Sequence, residues 1–166
     1  MNQRGFTSAL LLGVTAGLRT MTAPAALAIA QQQPATGRMW LLARPRVARA
    51  LTKSAVGELV FDKLPFTPNR IAPAGLSARL LSGALCGAAV AREDQAAGAL
   101  LGVAGALAGS FGGYYLRKAI GRASGAPDAL VGIAEDCVAI GLGLFASTLG
   151  RPEQSVRERA HRRHAA

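Results

Sequence analysis

The alternation of apolar and polar positions divides this 166-residue chain into four long apolar stretches joined by short polar ones. Residues 96–116, AAGALLGVAGALAGSFGGYYL, carry no charge over 21 residues, and a helix needs about 20 to cross a bilayer. Tyr114 and Tyr115, followed by Arg117 and Lys118, close this stretch as an interfacial aromatic and basic anchor. Residues 129–150 form a second span, interrupted only by Glu135 and Asp136. Residues 71–91 form a third, carrying Arg79, and residues 8–30 a fourth, carrying Arg19 and Pro24. The fourth also has features of a secretory signal, namely Arg4, a short apolar run and AIA before Gln31. Arg19 and Pro24 break that apolar run, which favours a retained span.

Between the first and second of these spans in chain order lies RALTKSAVGELVFDKLPFTPNR, residues 49–70. Leu51, Ala55 and Leu59 share a helical face, so the pattern predicts a helix over 49–64, and Pro65 and Pro68 stop it. Lys53, Glu58, Asp62 and Lys63 make it too charged for lipid. Two placements remain: an amphipathic helix in the interface, or a re-entrant element packed inside the bundle. The expected fold is therefore an all-α membrane protein with four to five membrane-entering helices. Residues 1–150 form its single polytopic domain, and 151–166 form a basic, disordered tail.

Composition supports the membrane reading. The chain is 51% hydrophobic, 17% charged and 5% aromatic, with Ala, Gly and Leu dominating, the usage of closely packed membrane helices. The net charge of +10 would suit a nucleic-acid binder, but the arginines cluster in residues 38–49 and in the tail, beside apolar segments, with no nucleic-acid motif or aromatic platform. If the 49–64 helix also enters the membrane, Arg38, Arg44, Arg46, Arg49, Arg92 and the tail arginines share one face. The positive-inside bias then places the C-terminus in the cytoplasm and the N-terminus outside. Cys86 and Cys137 lie in apolar segments and imply neither a disulfide nor a metal site.

Glycines recur at helical spacing. Gly98, Gly102, Gly105, Gly109 and Gly113 run along the charge-free span, and Gly83 with Gly87 and Gly13 with Gly17 repeat the interval. Such ridges let helices cross closely. They serve either packing within the chain, the preferred reading, or a homodimer.

The charges inside the apolar stretches are the candidate chemistry. Each costs about 2.5–3.5 kcal/mol at a bilayer centre, so Arg19, Arg79, Glu135 and Asp136 are expected to turn inward and pair, two cations with two carboxylates. Adjacent helix residues point about 100° apart, so Glu135 and Asp136 serve different partners, one facing a cavity and the other a neighbouring helix. Glu58 and Asp62, spaced i, i+4, share a face and would join them if their helix enters the bundle. The candidate solute or ion site is thus Arg19, Glu58, Asp62, Lys63, Arg79, Glu135 and Asp136. The same residues would equally serve as clamps between helices. A faint internal echo, AVGELVFDKLP against LVGIAEDCVAI, hints at a repeated transporter architecture.

Four blocks carry a resemblance: GVTAGLRTMTAPAALA, GELVFDKLP, ARLLSGALCGAA and VGIAEDCVAIGLGL. Over most of residues 8–150 the chain resembles the family catalogued as domain of unknown function 4126, small bacterial integral membrane proteins. The resemblance implies a polytopic inner-membrane protein and no particular activity. Three functions follow as expectations: transport or binding of a small solute or ion; a non-catalytic scaffold or accessory subunit; or an enzyme on lipid head groups with a metal at Glu135 or Asp136. Both histidines lie in the tail, and no nucleophile–base pair or phosphate loop is present. No catalysis, cofactor or metal is therefore expected, and the expected partners are the lipid bilayer and an unidentified small solute or ion, with no nucleic acid.

Overall fold

The structure is a computed structural model of the chain that describes residues 3–30, 44–61, 73–124 and 127–150. Asp62, Lys63 and the tail 151–166 lie outside the described residues. The regular structure among those described is helical throughout: α1 (Gln3–Leu18), α2 (Thr22–Ala30), α3 (Pro45–Phe61), α4 (Pro73–Val90), α5 (Gln95–Ser124) and α6 (Asp128–Leu149). The starts obey local chemistry. Pro45 and Pro73 occupy the first positions of α3 and α4, where a missing N–H costs nothing. The Asp94 carboxylate accepts from the Ala97 N–H at 2.9 Å and so caps α5.

Among the described residues three helices, α4, α5 and α6, are long and apolar enough to cross a membrane. This is fewer than the four to five membrane-entering helices the sequence pattern predicts. The difference lies in residues 8–30, which do not form one continuous helix. Pro24 is the cause. In a helix continued through residue 24, its ring would strike the Thr20 carbonyl four residues back, and no N–H would bond that carbonyl. The chain turns at Arg19–Met21 instead and restarts as α2. There Pro24 falls in the first turn, whose N–H groups have no intrahelical partner anyway.

The turn is sharp. A Cβ built on Gly143 of α6 would touch both Thr15 of α1 and Ala26 of α2, two residues eleven apart in sequence. Arg19, between them, pairs with Asp136, two turns earlier in α6. So α2 folds back beside α1, and α1–α2 is a hairpin whose tip points into the bundle. Its tip lies level with Ser82, Ser110 and Asp136, all well inside α4, α5 and α6.

The hairpin also decides where the chain ends lie. Gly5 abuts Val90 at the end of α4, and Gly150 abuts Ser8 and Val90. The start of α1 and the end of α6 therefore share one end of the bundle.

The interior is built from small residues. Ala9, Ala16, Ala23, Ala106 and Ala146 are buried, as are Ser8, Thr15 and Ser147, while Leu81, Leu85, Leu100, Leu116 and Val138 face outward. The glycine ridge brings backbones together. A Cβ on Gly13 or Gly83 would collide with the Gly102 carbonyl, one on Gly17 with that of Ala106, and one on Gly87 with that of Gly98. Gly98 and Gly102 would in turn meet the Gly87 and Gly83 carbonyls, and Gly105 and Gly109 meet the α1 backbone at Leu10 and Val14. Gly113 faces the Leu18 side chain. The ridge that either helix packing or a homodimer could use is therefore filled by the chain's own α1 and α4. Two helices wedge against α5 at Gly102, where each extra atom must displace backbone.

Gly102→Ala is therefore expected to cost about 1–3 kcal/mol by overpacking. Gly141→Ala, at a helical glycine with nothing within 4 Å of the new Cβ, should be neutral or gain up to about 1 kcal/mol from helix propensity. Unfolding of the two variants in detergent micelles checks this; equal stabilities would refute the close approach at Gly102.

Candidate functional site at the hairpin tip

Breaking a helix inside an apolar bundle strands backbone groups, and each must find a partner. The partners here come from every other helix beyond the hairpin. The Thr20 and Met21 N–H groups donate to the two oxygens of the Glu58 carboxylate of α3, both at 2.7 Å. The Thr20 carbonyl, which Pro24 cannot serve, accepts from the Ser82 hydroxyl of α4 at 2.7 Å. The Gly17 carbonyl, which Met21 would have used in a continuous helix, accepts from the Ser110 hydroxyl of α5 at 3.2 Å. Arg19, 1% exposed, forms an ion pair with Asp136 of α6. A carboxylate at the start of α2 is also where the helix dipole favours negative charge.

Of the expected site residues, the structure brings Arg19, Glu58 and Asp136 to this tip. Arg79 is buried on the same face of α4, one turn before Ser82. Glu135 goes elsewhere. It lines a cleft of about 370 Å³ between the second half of α5 and the first half of α6, and its carboxylate lies 3.5 Å from the Arg117 guanidinium. Asp136 meets Arg19 and Glu135 meets Arg117, so the two adjacent carboxylates take different cations. The adjacent carboxylates do diverge, one to a neighbouring chain turn and one to a cavity, as their 100° separation requires.

Arg117 was expected as an anchor just outside a span ending at residue 116. Here α5 runs on to Ser124, so Arg117 lies within the helix and reaches across to α6. The four carboxylates Glu58, Asp62, Glu135 and Asp136 do not all converge: Glu58 is spent on the α2 N-terminus, Glu135 on the cleft, and Asp62 lies outside the described residues. Among the described residues no three His, Cys, Asp or Glu side chains gather to hold a metal ion. Ser82 and Ser110 escaped the sequence reading because serine among Ala and Gly reads as one more small packing residue. Pro24 was the available signal, since an intrahelical proline frees the carbonyl four residues before it.

The chain matches no family model, no curated protein and no solved structure. Its function has to be argued from this geometry.

Glu58→Ala strands two half-buried N–H groups, at up to about 1–3 kcal/mol each, and should destabilise more than Glu58→Gln, which keeps one acceptor. Asp136→Asn takes the Asp136 charge away from the buried Arg19 and should cost up to about 3–5 kcal/mol, while Arg19→Met combined with Asp136→Leu should recover most of that loss. Chemical denaturation in micelles reads all four. A Glu58→Ala variant as stable as the wild type would mean that water, not Glu58, satisfies the tip.

Proposed function

We propose that this chain is a multi-pass protein of the bacterial inner membrane that binds and moves a small polar solute or ion at the tip of the α1–α2 hairpin. The observation that carries the reading is the interrupted helix itself. Discontinuous helices that meet near the bilayer midplane are how transporters expose backbone dipoles to a solute. Irregular backbone at such depth is tolerated only inside protein or beside a cavity. Here the tip offers the N-terminus of α2, Arg19 and the carboxylates of Glu58 and Asp136, drawn from the hairpin, α3 and α6, with Arg79 buried one turn before Ser82 on α4. In this reading the hairpin is a fourth, re-entrant element and α3 a fifth.

Orientation follows from charge. The end shared by the start of α1 and the end of α6 carries Arg4 and Arg92, and the chain beyond Gly150 continues into Arg151, Arg157, Arg159, Arg162 and Arg163. By the positive-inside bias this end is cytoplasmic. The four blocks resembling domain of unknown function family 4126 contain Arg19, Glu58, Ser82 and Asp136, the residues that meet at the tip, which supports kinship with that family. A second reading has its own observation: Arg19 is wholly buried and Glu58 is bonded to backbone, as in a scaffold whose charges only clamp helices.

Reporter tags on the N- and C-terminus should both read as cytoplasmic; tags on opposite sides would overturn a topology in which α3, α4, α5 and α6 cross and the hairpin does not. For the solute, thermal unfolding of the purified protein is followed against mono- and divalent cations and small organic ions. One ligand at 100 times its Kd should stabilise by about 2.7 kcal/mol, and Asp136→Asn should abolish the increment whatever its baseline. No ligand response in the wild type would hand the tip to the scaffold reading.

A further inference from the structure

Among the described residues α3 packs on α2, and its Ala48 and Ala55, seven apart on one helix face, are buried. Its outward stripe is of another kind. Arg46, Arg49, Lys53, Val56 and Val60 follow one another at intervals of three and four residues, so they share a face, and all five are exposed. The first half of the stripe holds three cations and the second half two valines, 54% and 60% exposed. The acidic residue of α3, Glu58, is turned to the hairpin tip. Among the described residues Arg46 and Lys53 make no ion pair or hydrogen bond. Arg49 donates from Nε to the Pro45 carbonyl at 3.1 Å, which leaves its terminal nitrogens for another partner.

Glu58 sets the depth of this stripe. Its carboxylate meets Thr20 and Met21 at the tip, which lies level with Ser82, Ser110 and Asp136, near the middles of α4, α5 and α6. From the tip α2 leads back toward the end shared by the start of α1 and the end of α6. The part of α3 that precedes Glu58 lies beside α2, so it leads toward that end too. Lys53, Arg49 and Arg46 precede Glu58 by five, nine and twelve residues, about 7.5, 13.5 and 18 Å along the helix. With the tip at the midplane, the edge of the hydrocarbon is about 15 Å away. Arg49 and Arg46 straddle that edge, and Lys53 reaches it along its own stem. Val56 and Val60 lie within about 3 Å of the tip level, among the acyl chains.

The order of the stripe, cations at the head-group level and valines below, selects the occupant. Three cations with no carboxylate among them leave the ammonium of a zwitterionic head group unmatched. Free phosphate or an acidic soluble protein would meet the cations and leave the valines bare. We infer that the outward stripe of α3 is a binding site for an anionic phospholipid of the cytoplasmic leaflet, its phosphodiester on Arg46 and Arg49 beside Lys53 and an acyl chain along Val56 and Val60. The lipid and α2 then hold α3 from two sides, and with it Glu58 on the hairpin tip. The inference rests on the proposed placement of the chain in a bilayer and not on any solute being moved.

The test uses full-length protein in detergent, its unfolding midpoint followed with phosphatidylglycerol, phosphatidylethanolamine or phosphatidylcholine of identical acyl chains at equal mole fraction, and with inorganic phosphate. Phosphatidylglycerol should raise the midpoint most and inorganic phosphate not at all. Arg46→Gln, Arg49→Gln and Lys53→Gln together, all at exposed positions, should leave the lipid-free midpoint nearly unchanged and remove the preference for phosphatidylglycerol. Arg157→Gln, Arg159→Gln and Arg162→Gln together remove the same charge from the tail and should keep the preference. Equal shifts by the three lipids, a shift by inorganic phosphate as large as that by phosphatidylglycerol, an undiminished preference in the α3 variant, or its loss in the tail variant would each overturn the site. Recovery of the chain in the salt-washed membrane fraction checks the bilayer placement separately; a chain released by salt would overturn that placement first.

Discussion

A proline in the wrong place for a continuous helix governs this structure. Pro24 cannot bond the Thr20 carbonyl and cannot share space with it, so the chain must turn between Arg19 and Met21. In water that turn would be solvated at no great cost. Inside a bundle of apolar helices it leaves two N–H groups and two carbonyls to be satisfied by protein. Glu58, Ser82 and Ser110 satisfy them, at 2.7–3.2 Å. Each comes from a different helix, so the break fixes the relative positions of α3, α4 and α5 around the hairpin, while Arg19 and Asp136 fix α6.

The glycine ridge is the other half of the same solution. A serine hydroxyl is short, so Ser110 reaches the Gly17 carbonyl only because α1 and α5 approach at backbone distance. That approach exists because Gly17, Gly105 and Gly109 carry no side chain. The same holds for α4, whose Gly83 and Gly87 lie on the α5 backbone while Ser82, next to Gly83, reaches the tip. Close packing and polar satisfaction are thus one constraint: widening the helix spacing by a methyl group would withdraw the hydroxyls from the carbonyls they serve.

Much of this was legible in the sequence and some of it was not, for identifiable reasons. The apolar runs locate α4, α5 and α6 within a few residues, except that α5 continues past the Tyr114–Lys118 anchor, because helix propensity does not end where hydrocarbon does. The inward-turning charges Arg19 and Asp136 could be named because exposure to lipid would be so costly. The divergence of Glu135 from Asp136 follows from helical geometry alone. The hairpin was missed because residues 8–30 have the length and hydropathy of a span, and a proline near the middle of one is compatible with a kink as well as a turn. What distinguishes them is whether neighbours can satisfy the freed backbone, a property of other segments that no local window contains. The partner of Glu135 was missed for the same reason: Arg117 and Glu135 are brought together by the packing of α5 beside α6 and not by a motif.

The hairpin is also a costly way to build a merely structural element. A continuous apolar helix over residues 8–30 would need no capping carboxylate, no buried arginine and no counter-charge. Buried ion pairs are frequently no more stabilising than apolar residues of the same size. A scaffold gains nothing from a helix N-terminus and two arginines placed deep in the bundle, since α1 packs through its glycines without them. A protein that must meet a polar or charged solute at that depth needs them all, because only turned backbone and ionised side chains can replace water around such a solute. This difference in what each role requires, rather than the presence of charge as such, is what inclines us to the binding reading of the tip.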